Sequence, residues 1–180
     1  DSVYVDANQA CSYYGNPDTE SPICFGDENG KILIDSVFGS PPFTYVLEYY
    51  NPNTSSWNFE AASQPVLDSF YTFTNLYSGL YRYTLTDING CSVTSPQINV
   101  LDPSPIWSSN TNLIITKTSD SLTCDGAISF VLNGGVGPYT HSWSGPNSFI
   151  SFLPTTITNL CTGIYYDTIV DANGCDTIIS

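Results

Sequence analysis

Six cysteines and a single histidine are the residues of this 180-residue chain with the widest choice of chemistry. A zinc site needs a close pair of cysteines or nearby histidines. Here Cys11, Cys24, Cys91, Cys124, Cys161 and Cys175 come no closer than thirteen positions, and His141 is the only histidine. Disulfides are the expectation, and with them an oxidising, extracellular compartment. Catalysis finds little to work with. His141 falls on an alternating, inward or cross-strand position, which suits a packed side chain better than a general base. No Gly-x-Ser-x-Gly elbow and no nucleotide loop occurs. Glu20, Glu28, Glu48 and Glu60, which a glycosidase could pair, all fall in loops or variable segments of the first half. The chain is expected not to be an enzyme.

Two other clusters could bind. "GDENG", residues 26 to 30, gathers Asp27, Glu28 and Asn29 around glycines, and oxygen ligands on a tight loop suit calcium; a solvated turn is the competing reading. Apart from calcium no cofactor is expected. "EYYNPNTSSWNFE" places Tyr49, Tyr50, Trp57 and Phe59 close to Asn51 and Asn53. These aromatics form a carbohydrate- or partner-binding face or cap the edge of a core. The charge balance narrows the partners. With 17 acidic and 3 basic residues the formal net charge is −14, so neither nucleic acid nor an anionic membrane finds the basic patch it needs. No apolar run is long enough to span a bilayer, and no signal pattern opens the chain.

What positions these residues is a repeated module. "LTDINGCSV" (85 to 93) recurs as "IVDANGCDT" (169 to 177) and, blurred, as "YVDANQACS" (4 to 12). The flanks recur too: "NLYSGLYRYTL" aligns with "NLCTGIYYDTI", and "GKILIDSVFGSPPFTYVL" with "GAISFVLNGGVGPYTHSW", without gaps. A period of this size is a small domain in an array. The absence of methionine suggests a piece of a longer product. Helix formers are scarce, while Thr, Ser, Tyr, Val, Ile, Gly and Pro dominate, as in sheet proteins. Ile32 and Ile34 alternate, as do Phe43, Tyr45 and Leu47 after a Gly/Pro turn, predicting two antiparallel strands. Asp-x-Asn-Gly between alternating runs predicts a tight hairpin joining the last two strands, with the aspartate as turn-former.

Leu76, Gly79 and Tyr81, repeated as Leu160, Gly163 and Tyr165, have the spacing of a tyrosine corner. With about seven short strands per module, the expected fold is all-β: tandem immunoglobulin-like sandwiches of the fibronectin III or PKD type. Residues 1–20 read as the C-terminal tail of a preceding module, 21–102 as one module and 103–180 as the next. The links are short enough to predict semi-rigid stacking.

"CFGDENGKI" and "CDGAI", then "GGVGPYTHSW", "NLCTGIY" and "DANGC", resemble the SprB-type repeat of bacterial gliding and surface adhesins exported by the type IX route. The resemblance covers 121–180 almost fully and about 24–100 with insertions. Tyr77 stands where the second copy has Cys161, and "GDEN" is inserted after Cys24. The resemblance implies a secreted, cell-surface, non-catalytic stalk or adhesive unit. Its partners would be neighbouring repeat modules, and surface polysaccharide or further copies of itself. The alternatives are an accessory carbohydrate-binding module of an exported polysaccharide-degrading enzyme and a self-assembling filament subunit. In a sandwich of this topology Cys124 and Cys161 lie at the same end and are expected to pair. Cys91 and Cys175 sit after the hairpin; Cys24 can pair with Cys91 or with Cys11, or these cysteines can staple neighbouring modules. Asp-Ser/Thr-aliphatic tripeptides resemble the O-glycan acceptors of such bacteria, at Ser2, Ser36, Ser121, Thr168 and Thr177, the best placed being Ser36 and Ser121.

Overall fold

The structure is a computed structural model that describes residues 12–13, 17–35, 37–109 and 113–180. Among the described residues it is all-β apart from one 3-10 turn at Pro146–Ser148. It divides into two compact units. The first runs through Asp102 without Ile23–Phe25; those three residues group with Pro103–Ser180 in the second.

The first unit holds β1 (Ser12–Tyr13), β2 (Asp18–Glu20), β3 (Gly30–Ile34), β4 (Val37–Phe38), β5 (Thr44–Asn51), β6 (Ser56–Ala62), β7 (Tyr71–Leu76), β8 (Gly79–Thr86), β9 (Ser92–Thr94) and β10 (Ile98–Val100). One sheet runs β2-β3-β7, the other β10-β8-β5-β6 with β9 also on β8, and β1 pairs β4. All pairing is antiparallel. Alternation drives the layers together. Ile32, Ile34, Phe73 and Leu76 point in from the first sheet, and Tyr45, Leu47, Tyr81, Tyr83, Leu85, Ile98 and Val100 from the second, making one core. Packing two half-apolar sheets face to face in this way defines an immunoglobulin-like β-sandwich.

The strands at 30–34 and 43–47, read from sequence as neighbours, lie in opposite sheets: β3 pairs β2 and β7, and β5 pairs β6 and β8. Pro41 and Pro42 have no amide hydrogen to continue a ladder, so the turn hands the chain from one layer to the other. The stretch 1–20, read as the tail of a preceding module, includes β1 and β2, and both pair inside this unit. All three residues of β2 are exposed, so its pairing rests on the backbone ladder and on the Lys31–Glu20 ion pair at 2.6 Å and leaves no apolar alternation to read.

The second unit holds β11 (Trp107–Ser108), β12 (Ile114–Thr116), β13 (Gly126–Ser129), β14 (Leu132–Asn133), β15 (Thr140–Gly145), β16 (Phe149–Ser151), β17 (Thr156–Leu160), β18 (Tyr166–Val170) and β19 (Asp176–Ile179). Its sheets are β12-β13-β17 and β16-β15-β18-β19, with β11 on β14. Its core is formed by Ile106, Phe130, Trp143, Ile157, Leu160, Tyr165 and Ile169. No helix among the described residues is long and apolar enough to cross a membrane.

Candidate ligand face, buried carboxylates and cross-links

The four aromatics around residues 49 to 59 are split by the pleat of β5. Tyr45, Leu47 and Tyr49 face the core, and Tyr49 packs on Tyr81 with ring centroids 5.8 Å apart. The alternate residues Glu48 and Tyr50 face outward. Tyr50 stands opposite Trp57 on β6, and Glu48 opposite Phe59. Tyr50 and Trp57 meet edge to face at 5.3 Å, and Phe59 is 69% exposed. Arg82, across from Glu48 on β8, donates Nε–H to Glu48 Oε2 at 2.7 Å and lays its guanidinium over the Trp57 ring, 4.5 Å from the centroid. The result is an aromatic cluster on the outer face of β5 and β6, with the Glu48–Arg82 pair beside it and the guanidinium stacked on Trp57. Rings of this kind offer an apolar surface and polar groups side by side. Arg82 and Glu48, members of the platform, carry no sequence signal of binding; only strand register places them there.

The aspartates of the repeated phrase do identical work in both units. Asp87 Oδ1 accepts the amides of Asn89 and Cys91, each at 2.9 Å, and its Oδ2 accepts that of Ser40 at 3.1 Å. Asp171 accepts Asn173 at 2.8 Å, Cys175 at 3.0 Å and, through Oδ2, Val136 at 2.9 Å. Each carboxylate shapes its own hairpin and also holds the loop leading into the second sheet. The Ser40 amide above all, with those of Cys91 and Asn89, keeps the Asp87 carboxyl below the usual range. Burial pulls the Asp171 carboxyl up, but the amides of Val136, Cys175, Asn173 and Gly174 outweigh it. Both tyrosine corners are present: Tyr81 Oη donates to the Tyr77 carbonyl and Tyr165 Oη to that of Cys161, each at 3.0 Å.

His141 is packed inside the second unit, with Nδ1 2.6 Å from Asp167 Oδ2. Asp167 is fully buried and also accepts the Ser142 amide. Burial pushes its carboxyl up, opposed by the hydrogen bond and charge of His141. In the gap-free alignments these two positions carry Tyr45 and Tyr83 in the first unit. With neither side chain reaching solvent, the pair meets no external substrate. Asp167 escaped the sequence reading because its alternating neighbours look like an ordinary strand.

The cysteines are cross-linked. Cys124 is bonded to Cys161, with Cα atoms 3.9 Å apart. Cys24, in the segment that groups with the second unit, is bonded to Cys175, 151 positions on. Cys24 therefore does not pair with Cys91 or with Cys11. Cys91 is also disulfide-bonded, and Cys11 lies outside the described residues. In the "GDENG" loop the Asn29 side-chain amide donates to Asp27 Oδ2 at 3.2 Å, while Glu28 sits beside the Tyr77 hydroxyl. Among the described residues no group of three or more His, Cys, Asp or Glu is placed to hold a metal ion. Of the glycan-acceptor positions, Ser121 is exposed, on a turn where Asp120 accepts the amides of Leu122 and Thr123. Thr168 and Thr177 are half-buried on β18 and β19, and Ser2 and Ser36 lie outside the described residues.

The model of the SprB repeat family matches residues 16–48. That stretch covers β2, β3, β4 and residues 44–48 of β5, in the first unit. It is similar to an SprB-type repeat, and the similarity points to a surface-adhesin-like segment of a secreted cell-surface protein. No curated protein matches the chain.

Proposed function

We propose that this chain is a non-catalytic, adhesive segment of a large secreted bacterial cell-surface protein, a disulfide-fastened stalk that presents the Tyr50–Trp57–Phe59 platform to a surface polysaccharide. The observation that carries the reading is the solvent-facing platform on an SprB-like sandwich. Phe59, exposed, and Tyr50 and Trp57, half-buried beside it on two adjacent strands, suit stacking against the apolar faces of sugar rings, while Glu48 and Arg82 supply hydrogen-bond partners for hydroxyl groups. The Glu48–Arg82 pairing leaves the platform close to neutral within a strongly acidic chain, so a neutral polysaccharide is favoured over an anionic one. Weak contacts of this sort gain strength when modules are repeated along one stalk. O-glycans at Ser121, in a turn whose Leu122 side chain is 92% exposed, would add resistance to proteolysis. The platform alone would also serve an accessory module of a polysaccharide-degrading enzyme.

The test is retention of the folded chain on insoluble neutral and anionic polysaccharides, compared with Trp57→Ala. Binding to a neutral polysaccharide that falls at least tenfold in Trp57→Ala, with the melting temperature held within a few degrees, is the expected result. Equal retention of both proteins, or of neither, sinks the platform as the adhesive site.

A further inference from the structure

The outer face of the larger sheet in the first unit continues past the aromatic cluster. On β8 the residues Tyr83 and Leu85 point into the core, so Thr84 and Thr86 point out. On β9 Val93 packs against the core, so Ser92 and Thr94 point out. Register sets these residues in rows. Thr86 stands between Thr44 and Ser92, Thr84 between Val46 and Thr94, and the next row along β5 and β8 is Glu48 and Arg82. The hydroxyls are paired across the two strands, Thr84 with Thr94 at 3.0 Å and Thr86 with Ser92 at 3.3 Å. In each pair one O–H is given to the other oxygen, which leaves one free O–H and spare lone pairs at a fixed spacing. From Tyr50 to Thr44 the strand covers about 20 Å, so aromatic rings and paired hydroxyls lie at opposite ends of one long face.

The fold itself does not require this face. In the second unit the same ladder pairs Thr168 with Ile178 and Val170 with Asp176, so both hydroxyl pairs are missing although the strands that would carry them are present. The face of the first unit is also without net charge. Its one carboxylate is paired with its one guanidinium, in a chain whose formal net charge is −14. We propose that this face binds a single extended chain of a neutral, β-1,4-linked glycan. The sugars stack on Tyr50, Trp57 and Phe59 at one end and reach the Thr84–Thr94 and Thr86–Ser92 pairs at the other. The proposal rests on the adhesive reading above and names its substrate class. A β-1,4-linked chain of hexoses with equatorial hydroxyls is a straight ribbon, apolar on its C–H faces and hydroxylated along its edges. It can stack on the rings and still bring neighbouring hydroxyls, spaced much like the paired Thr and Ser oxygens, against the far rows. Two hydrogen bonds then form per pair, one donated and one accepted. An α-1,4-linked chain of the same sugar coils and turns away from the sheet before it reaches them.

The probes are cellobiose, cellohexaose and maltohexaose, titrated into the intact chain and its variants by calorimetry. Thr84→Val/Thr86→Val/Ser92→Ala/Thr94→Val removes the paired hydroxyls, and the milder Thr84→Val/Thr94→Val keeps the test open should the fourfold variant fold poorly. The intact chain is expected to bind cellohexaose at least tenfold more tightly than cellobiose or maltohexaose. Loss of the hydroxyls should cut cellohexaose binding at least tenfold and leave cellobiose binding unchanged, while Trp57→Ala weakens both. Equal binding of cellohexaose and maltohexaose, hydroxyl variants that bind cellohexaose as the parent does, or no binding of cellohexaose at millimolar concentration overturns the proposal. None of these outcomes touches the aromatic site itself, which fails only if Trp57→Ala also leaves retention on insoluble polysaccharide unchanged.

Discussion

Two tyrosines of the first unit, both buried, differ in what their hydroxyls do. Tyr81 Oη donates to the carbonyl of Tyr77 and ties the start of β8 to the loop before it. Tyr45 stacks on Tyr71 at 5.1 Å, but its hydroxyl has no hydrogen-bond partner, and burial pushes its pKa up to about 12. A buried polar group without a partner keeps its desolvation cost, whereas a satisfied one gives about 1 kcal/mol net. Removing the two hydroxyls therefore has opposite signs. Tyr81→Phe is expected to lower the unfolding free energy by about 1 kcal/mol, and Tyr45→Phe to leave it unchanged or raise it by about as much. Urea denaturation of the two variants checks this, and equal losses in both would contradict it. The sequence marks Tyr81 through its Leu-x-x-Gly-x-Tyr spacing; it marks Tyr45 only as one apolar position in an alternating run.

Among the elements, the Asp-x-Asn-Gly hairpins carry the clearest pH dependence. The folded Asp87 carboxyl is held below its ordinary range by three amides, so the folded state binds its proton less readily than the unfolded chain does. The stability it contributes is present at neutral pH and is lost as pH falls through the depressed folded value. Asp87→Asn keeps the shape and removes the charge. The variant is expected to melt lower than the parent at pH 7, with the gap closing toward pH 3. A gap that stays constant across that range, followed by calorimetry, would contradict the role of the charge. The hairpin and its turn-forming aspartate were legible in the repeated words, because turn chemistry is local. The third bond, to Ser40 in one unit and Val136 in the other, was not, because it spans 47 and 35 positions.

Across the whole molecule the covalent links set the scale of stability and of extension. Cys124–Cys161 closes 37 positions and Cys24–Cys175 closes 151. In the loop-entropy picture the shorter bond stabilises by roughly 3–4 kcal/mol. The double variant Cys124→Ala/Cys161→Ala is expected to lose about that much in guanidinium unfolding. Retention of the parental midpoint would remove the staple from the account. When the chain is pulled from its ends, intact bonds should hide the extension of the bridged residues, on the order of 50 nm for the longer one at full stretch. Reduction should release it, and a stalk that bears load needs that difference.

By itself the sequence determined the all-β class, the repeated module, the hairpins, the tyrosine corners and the oxidised cysteines. Each of these is written in residues close together or in a period that one strand carries alone. Tertiary structure decided what depends on register between distant strands. It sent β3 and β5 to opposite sheets, and drew β2 into the first unit through a backbone ladder and one exposed ion pair, which no apolar pattern records. It turned Tyr49 inward while aligning Tyr50, Trp57, Glu48 and Arg82 on one face, and paired His141 with Asp167 where the sister unit has two tyrosines. It chose Cys175 as the partner of Cys24 from several cysteines that composition treats alike.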